Sequence, residues 1–355
     1  MIPVSSEFLA AIGSGMIIET KATVNDIPVA LVSGSIRGQV SNVRRSFSGD
    51  LATLDGDYDG FYDFLSQDGA ILKVITGIPD LNEWVPMFIG RLNAGSAIGG
   101  QGHVPVSASD FGFDLAQQEL LTPVTQAASV TRLAAIEELV SAGFPSVNIH
   151  NSASDTGTLG SEQVWSGSRW DAINTIAKDA GAECYFDPSG DFIIRDQPAV
   201  STPVYSYNTG SKGTVISLER SRPLDQLINT VVVSAASTTG NQDWDSVTVQ
   251  ITDTDHPRHP SRIGVRVLRI DSPTANETDA AAIASRELDK ALGRTETLNV
   301  QAVGNPAIEL GDTVGLSMQG WLDSGTQTWT HIIDGFSFDL KNWSQQLETR
   351  SYGYE

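Results

Sequence analysis

The feature that most constrains this chain is a series of short runs in which apolar and polar residues alternate, interrupted once by helical periodicity. The runs are MIIETKATV (16–24), IPVALVSGSIRGQV (27–40), RRSFSGDLATL (44–54), AILKVITGI (70–78), WVPMFIGRLN (84–93) and GHVPVSASD (102–110). Alternation with a period of two puts one face of a strand on a core and the other in water. A short helix, SSEFLAAIG, stopped by Gly13, precedes them. Residues 1–118 therefore read as a β-barrel or sandwich. The 33 glycines among 355 residues, with only 18% charged residues, suit strands joined by many turns.

The texture then changes. SVTRLAAIEELVSAGFP places Val130, Leu133, Ile136 and Val140 on one helical face, with Gly143 and Pro145 ending it. A second helix has Ser168 and Asp171 as a capping box, an apolar stripe of Trp170, Ile173, Ala177 and Ala180, and Gly181 at its end. AECYFDPSGDFIIRD follows as two short strands around a turn carrying Pro188 and Gly190. Residues 119–197 thus read as a small α/β domain.

From Thr202 the strands return at 213–220, 228–237, 245–253, 262–270, 295–303, 312–318, 328–340 and 343–352. One helix over 277–292, capped by Asn276 with Asp279, presents Ile283, Ala284, Leu288 and Ala291 before Gly293. Residues 198–355 read as a second β-rich domain. The expected class is mainly β with an α+β insert.

Charge and motifs exclude several functions. A net charge of −21 lacks the basic footprint that tight nucleic-acid binding needs. It would instead repel a polyanion sliding past. No apolar run reaches the ~20 residues of a membrane helix, and the N-terminus has no basic leader, so neither a membrane anchor nor a signal peptide is expected. The single cysteine, Cys184, excludes an intrachain disulfide and reads as a buried thiol. There is no G-x-S-x-G, no G-x-x-x-x-G-K-[ST] and no H-E-x-x-H, and the chain is not expected to be an enzyme. Glu137 and Glu138 read as a solvated helix face. Asp187, Asp191 and Asp196 bracket a hairpin, and turn formation accounts for the first two.

Two weak metal candidates stand out. LDGDYDGFYDFLS places Asp55, Asp57, Asp59 and Asp63 at positions 1, 3, 5 and 9 of a calcium-loop frame, with Gly60 at position 6. Position 12 is Ser66 rather than the bidentate Glu, and a strand rather than a helix precedes it. The stretch reads first as an acidic connection, in which Asp57 or Asp59 caps a short helix, and second as a Ca²⁺ site. DTDHPRHP (253–260) gathers His256 and His259 with Asp253 and Asp255, and reads first as a proline-bent polar loop.

Several segments together resemble the baseplate hub, or minor tail protein, family of tailed bacteriophages and related injection systems. They are the opening MIPVSSEFLAAIGSG, then SRWDAINTIAKDAGAECYFDPSGDFIIRD, then INTVVVSAAS, the His-Pro loop, RIGVRV, a helix ending ELDKALG, and NPAIELGDTV. The resemblance implies two tube-like antiparallel β-barrel or sandwich domains around the insert. It further implies a homotrimeric ring of pseudo-sixfold symmetry at the tail tip of a virion, assembled in the host cytoplasm. Implied partners are a distal tail protein or tail tube hexamer, a tape measure protein, spike or receptor-binding fibre proteins, and genomic DNA in transit. No catalytic residue or cofactor is implied. Fuller members continue into a wall-degrading domain, and the resemblance implies none here. Two other readings remain open: a cell-wall polysaccharide hydrolase or binding protein on a β-scaffold, and a calcium-regulated adhesin resting on the loop at Asp55.

Overall fold

The computed structural model describes residues 1–12, 14, 18–52, 58–95, 102–210, 213–221, 227–235, 246–272, 277–293, 297–319 and 326–351. It opens with α1 (Ser6–Ala11), where the Ser5 hydroxyl accepts from Phe8 N and Phe8 is buried. Six strands follow: β1 (Glu19–Val24), β2 (Ile27–Gln39), β3 (Arg45–Ala52), β4 (Ile71–Ile78), β5 (Glu83–Gly95) and β6 (Val104–Ser109). Helix α2 (Tyr58–Leu65) lies between β3 and β4. The strands close in the order β1-β4-β5-β6-β3-β2, with β2 returning to β1, every pair antiparallel. The alternation seen in the sequence is what a closed barrel requires, since each strand presents one face to the interior.

Helix α3 (Phe111–Gln117), which the sequence reading left with the first β-domain, packs through Phe111 and Leu115 into the core of the insert. The insert holds β7 (Glu119–Gln126), α4 (Arg132–Gly143), β8 (Ile149–Asn151), β9 (Gln163–Ser168), α5 (Arg169–Ala180), β10 (Ala182–Phe186) and β11 (Phe192–Asp196). Its caps follow the sequence. Ser168 Oγ accepts from Asp171 N, and Gly181 is left-handed at φ 68°. Trp170, Ile173, Leu139, Phe186 and Phe192 form its core, with Trp170 edge-on to Phe192. In the turn, Asp187 Oδ1 accepts from Ser189 N and Asp191 N, and Gly190 takes φ 94°. Alternation did not reveal β7 and β9. They form a two-stranded ribbon whose register slips between Leu120 and Val124, which hides the period.

The remaining elements are β12 (Tyr205–Asn208), β13 (Val215–Ser221), β14 (Thr230–Ala235), β15 (Ser246–Gln250), α6 (Pro260–Ile263), β16 (Val267–Ser272), α7 (Glu277–Gly293), β17 (Thr297–Val303), β18 (Thr313–Gln319), β19 (Thr326–Asp339) and β20 (Ser344–Arg350). Two details differ from the sequence reading. Residues 262–270 are not one strand. His259 caps the one-turn α6, Gly264 (φ 77°) breaks it, and β16 starts only at Val267. Strands β14, β15 and β16 also do not join the other strands. They form a separate sheet, β15-β14-β16, packed on α7 through Val231, Val233, Ile270, Ile283, Ala284 and Leu288. The helix cap at Asn276 lies outside the described residues. Among the described residues no helix is long and apolar enough to cross a membrane.

The other six late strands repeat the first six. β12, β13, β17, β18, β19 and β20 stand for β1 to β6 in the same chain order. The pairs β13–β17, β17–β20, β20–β19 and β19–β18 match β2–β3, β3–β6, β6–β5 and β5–β4, all antiparallel. Bulges recur at matching positions: between Leu31 and Ser33 and between Val215 and Ser217, then between Leu92 and Ala94 and between Ile333 and Gly335. The exception is the first strand: β12 runs parallel to β18 where β1 is antiparallel to β4, and among the described residues no β12–β13 pair matches β1–β2, so the first unit closes into a barrel and the second does not. β2 and β19 pair antiparallel and join the two units into one sheet. The β14–β16 and α7 module grows from the connection between β13 and β17, where the first unit has only a short turn between β2 and β3.

Candidate assembly surfaces

The joined sheet has one apolar and one polar face, and its registers show both. One cross-strand row reads Ala302, Gln345, Phe338, Ile36, Phe47, Ala108, and the next reads Leu218, Val300, Leu347, Phe336, Gly38, Arg45. These rows face the core. Gln345 belongs there because its Oε1 accepts from Tyr207 Oη (3.3 Å) and Asn305 N (3.1 Å).

The alternate rows face outward. They read Ser217, Gln301, Gln346, Ser337, Arg37, Ser46 and then Val303, Ser344, Asp339, Ser35, Ser48, Ser107. Beyond them come Glu219, Asn299 and Glu348 on one side and Ser33 and Asp50 on the other. The face therefore consists of hydroxyls, amides and four carboxylates (Asp50, Glu219, Asp339, Glu348), against Arg37 and, at the rim, Lys341. Its apolar residues are Val303 and Pro105 at the margins, with Val32 and Ile216 exposed at the two matching bulges beside Ser33 and Ser217. Among the described residues its two edges are open. β13 is the last strand of the path, and Ala94 and Gly95 of β5 have β6 on one side only. An unpaired strand edge is a template for pairing with another chain.

A buried charge cluster holds the first barrel, the second β-unit and the insert together. Arg44, from the turn between β2 and β3, donates to Leu310 O (3.0 Å) and pairs with Glu183 of β10 (3.4 Å). Arg195 of β11 donates to the same Glu183 (2.6 Å) and the same carbonyl (2.8 Å). Tyr185 lies under Arg44 at 3.6 Å. Arg45 pairs with Glu309 and stands over Phe336 at 5.2 Å. Asp110 completes the cluster. It accepts from Arg45 N (2.6 Å) and, as the cap of α3, from Gly112 N (3.0 Å).

Burial raises the Asp110 carboxyl to about 6, against the lowering effect of those donors and of the Arg45 charge. A pKa raised on folding contributes stability that is fully present below the unfolded value of 3.8 and lost as pH rises through about 6. Lowering the pH from 7 toward 4 should thus add on the order of 3 kcal/mol from this group alone. Asp110→Asn keeps an acceptor for Gly112 N but does not titrate. The difference in urea midpoint between wild type and Asp110→Asn is expected to shift in favour of wild type as pH falls from 7 to 5. A difference that stays constant over that range would contradict this account.

The other candidates from the sequence are used locally. Asp55 and Asp57 lie outside the described residues. Asp59 and Asp63 fall on α2. His256 Nδ1 accepts from Arg258 N (3.1 Å), and burial and the Arg258 charge lower its pKa. His259 Nδ1 accepts from Ser261 N (3.2 Å) as a helix cap. Among the described residues no group of three or more His, Cys, Asp or Glu is placed to hold a metal. Glu137 accepts from Asn151 (2.7 Å), Glu138 from Gln126 (2.9 Å), Asp191 from Asn148 (3.0 Å) and Asp196 from Ser154 N (2.9 Å). Cys184 is half-buried, and burial together with Glu183 pushes its thiol pKa up, away from the reactive range. Sequence reasoning missed the Arg44–Glu183–Arg195 cluster. Its members are 139 and 12 residues apart, and no local pattern marks them.

Comparison with solved structures places this architecture. The chain superposes on a tail protein from Neisseria meningitidis with a TM-score of 0.68 at 14% identity, covering 94% of this chain and 96% of that one. It matches the 43 kDa tail protein of prophage MuSo2 from Shewanella oneidensis with a TM-score of 0.65 at 11% identity, covering 94% and 98%. It also matches an E. coli component of the type VI secretion system, itself described as similar to T4 tail proteins, with a TM-score of 0.56 at 9% identity, covering 94% and 77%. No family model and no curated protein matches the sequence. The chain has the fold of these phage tail proteins and of this type VI secretion component: mainly β, with a closed six-stranded antiparallel barrel.

Proposed function

We propose that this chain is a structural, non-enzymatic hub of a phage tail tip, three copies of which form a ring that joins the tail tube to the spike or fibre and serves as part of the DNA conduit. The observation that carries this reading is the internal repeat. The β2–β19 seam joins two like units edge to edge, and among the described residues the equivalent edges, β13 and the Ala94–Gly95 end of β5, have no further strand beside them. Repeating the seam between copies, β13 of one on the free end of β5 of the next, is a heterologous contact, the kind that builds a ring when three steps complete a turn. Each chain supplies eight wall strands (β5, β6, β3, β2, β19, β20, β17 and β13), hence twenty-four in a trimer.

In that ring the polar face forms the wall. Its hydroxyls, amides and excess of carboxylates suit a surface that DNA passes without adhering. A distal tail or tube hexamer matches the six units, a threefold spike matches the three chains, and a tape measure protein is the natural occupant of the bore before ejection.

Electron microscopy and mass measurement of the purified protein test the reading. The expected result is a ring with three chains, six lobes and an open centre. A protein that remains a monomer at all concentrations, or a ring whose bore is apolar or basic, would overturn it.

A further inference from the structure

The insert carries two docking ends; among the described residues the chain fills one and leaves a groove at the other. α4 and α5 pack against each other. The start of α4 and the end of α5 meet the module of β14, β15, β16 and α7. Arg132 bonds Asp279 (3.1 Å), Ser272 Oγ donates to Asp179 (2.7 Å), and Arg286 donates to Lys178 O (3.0 Å). The opposite ends of the same two helices lie together elsewhere. Arg169 at the start of α5 donates to Leu139 O (2.8 Å), and Gln118 donates to Gly143 O. Each helix has 12 residues, so the two ends are about 17 Å apart.

At that far end a groove of about 530 Å³ opens between the insert and the first barrel. Ile71, Arg91, Phe111, Phe144, Pro145 and Phe186 line it. Its floor is an aromatic cluster, with Phe144–Phe186 at 5.5 Å and Phe111–Phe186 at 5.8 Å between ring centres. The module has a matching far end. Ser272, which bonds the insert, closes β16, while Val267 opens it about 17 Å away. Val265 and Val267 there are 61% and 43% exposed.

We propose that the groove of each insert is filled by Val265 and Val267 of a second copy of this chain. The inference rests on the ring reading above. In a ring built by repeating the seam, the next copy's β13 lies along β5. The module that grows from the end of β13 then stands where, at the internal seam, the β2–β3 turn packs on the second unit. Each module would therefore bridge two inserts, its own through hydrogen bonds and its neighbour's through apolar contact.

Cysteine pairing tests this. In a Cys184→Ser background, one preparation carries Ser146→Cys at the groove's edge and another Val265→Cys. Mild oxidation of the mixture should give a covalent heterodimer, and the double variant in one chain should give dimers and trimers on a non-reducing gel. Separately, Val265→Asp with Val267→Asp should raise the concentration needed for ring formation at least tenfold and leave the circular dichroism of the monomer unchanged. Rings that form normally in both experiments, with no interchain crosslink and no weakening by the aspartates, would refute the groove assignment while leaving the ring standing. A crosslink confined within single chains would refute it as well. Failure of the wild-type protein to form any ring would refute the ring reading, and the groove assignment with it.

Discussion

Glu183→Ala is expected to destabilise the folded chain by about 3–5 kcal/mol. Among the described residues Glu183 is the only carboxylate hydrogen-bonded to both Arg44 and Arg195, and its side chain is 13% exposed. Removing it leaves two guanidinium groups sharing the Leu310 carbonyl and the Tyr185 ring, with Arg44 only 4% exposed and without its counter-charge. The cost arises mainly from that uncompensated buried charge rather than from the lost bonds. Arg44→Met combined with Glu183→Met should therefore cost less than Glu183→Ala alone, because the more buried guanidinium leaves with its counter-charge and only the 28% exposed Arg195 is left without one. Urea denaturation of the three proteins checks both statements. If Glu183→Ala changes the midpoint by less than the equivalent of ~1 kcal/mol, the cluster does not hold the three bodies together.

Phe338→Ala should cost a comparable ~3–5 kcal/mol. Phe338 is fully buried on β19, opposite Ile36 across the seam, and meets Trp343 edge-on at 5.4 Å. The site cannot collapse easily. Gly304 approaches the ring so closely that a Cβ there would lie 2.6 Å from it, so the backbone around the ring is already packed to contact. The cavity would lie on the line joining the two β-units, so assembly of the proposed ring should weaken together with stability. Thermal melting and sizing of Phe338→Ala at matched concentrations test this. A variant that melts as wild type would show that the seam is held by its backbone ladder rather than by its core rows.

Much of the local structure was legible in the sequence because its causes are local. Alternation marks β2, β3, β4 and β5, since a half-buried strand must alternate. Ser168 and Gly181 mark the ends of α5, because unpaired helix termini need a side-chain acceptor at one end and a left-handed residue at the other. Pro188 and Gly190 mark the hairpin for the same kind of reason. Net charge alone argued against tight nucleic-acid binding.

Other features depend on pairings between residues far apart, which no window of sequence contains. The match of β12, β13, β17, β18, β19 and β20 to β1–β6 rests on registers and bulges, and side-chain identity at matching positions has diverged. Ser35 corresponds to Glu219 and Ser107 to Glu348. The separate module of β14–β16 read as more of the second domain, because a strand's period does not say which sheet it joins. The Arg44–Glu183–Arg195 cluster and the aromatic groove exist only once the insert has folded against the barrel. The sequence by itself determined the elements, their caps and the acidic, strand-rich character of the chain. Only the tertiary structure decided which strands share a sheet, which face is polar and which edges stay open, because those depend on long-range pairing rather than on the preferences of neighbouring residues.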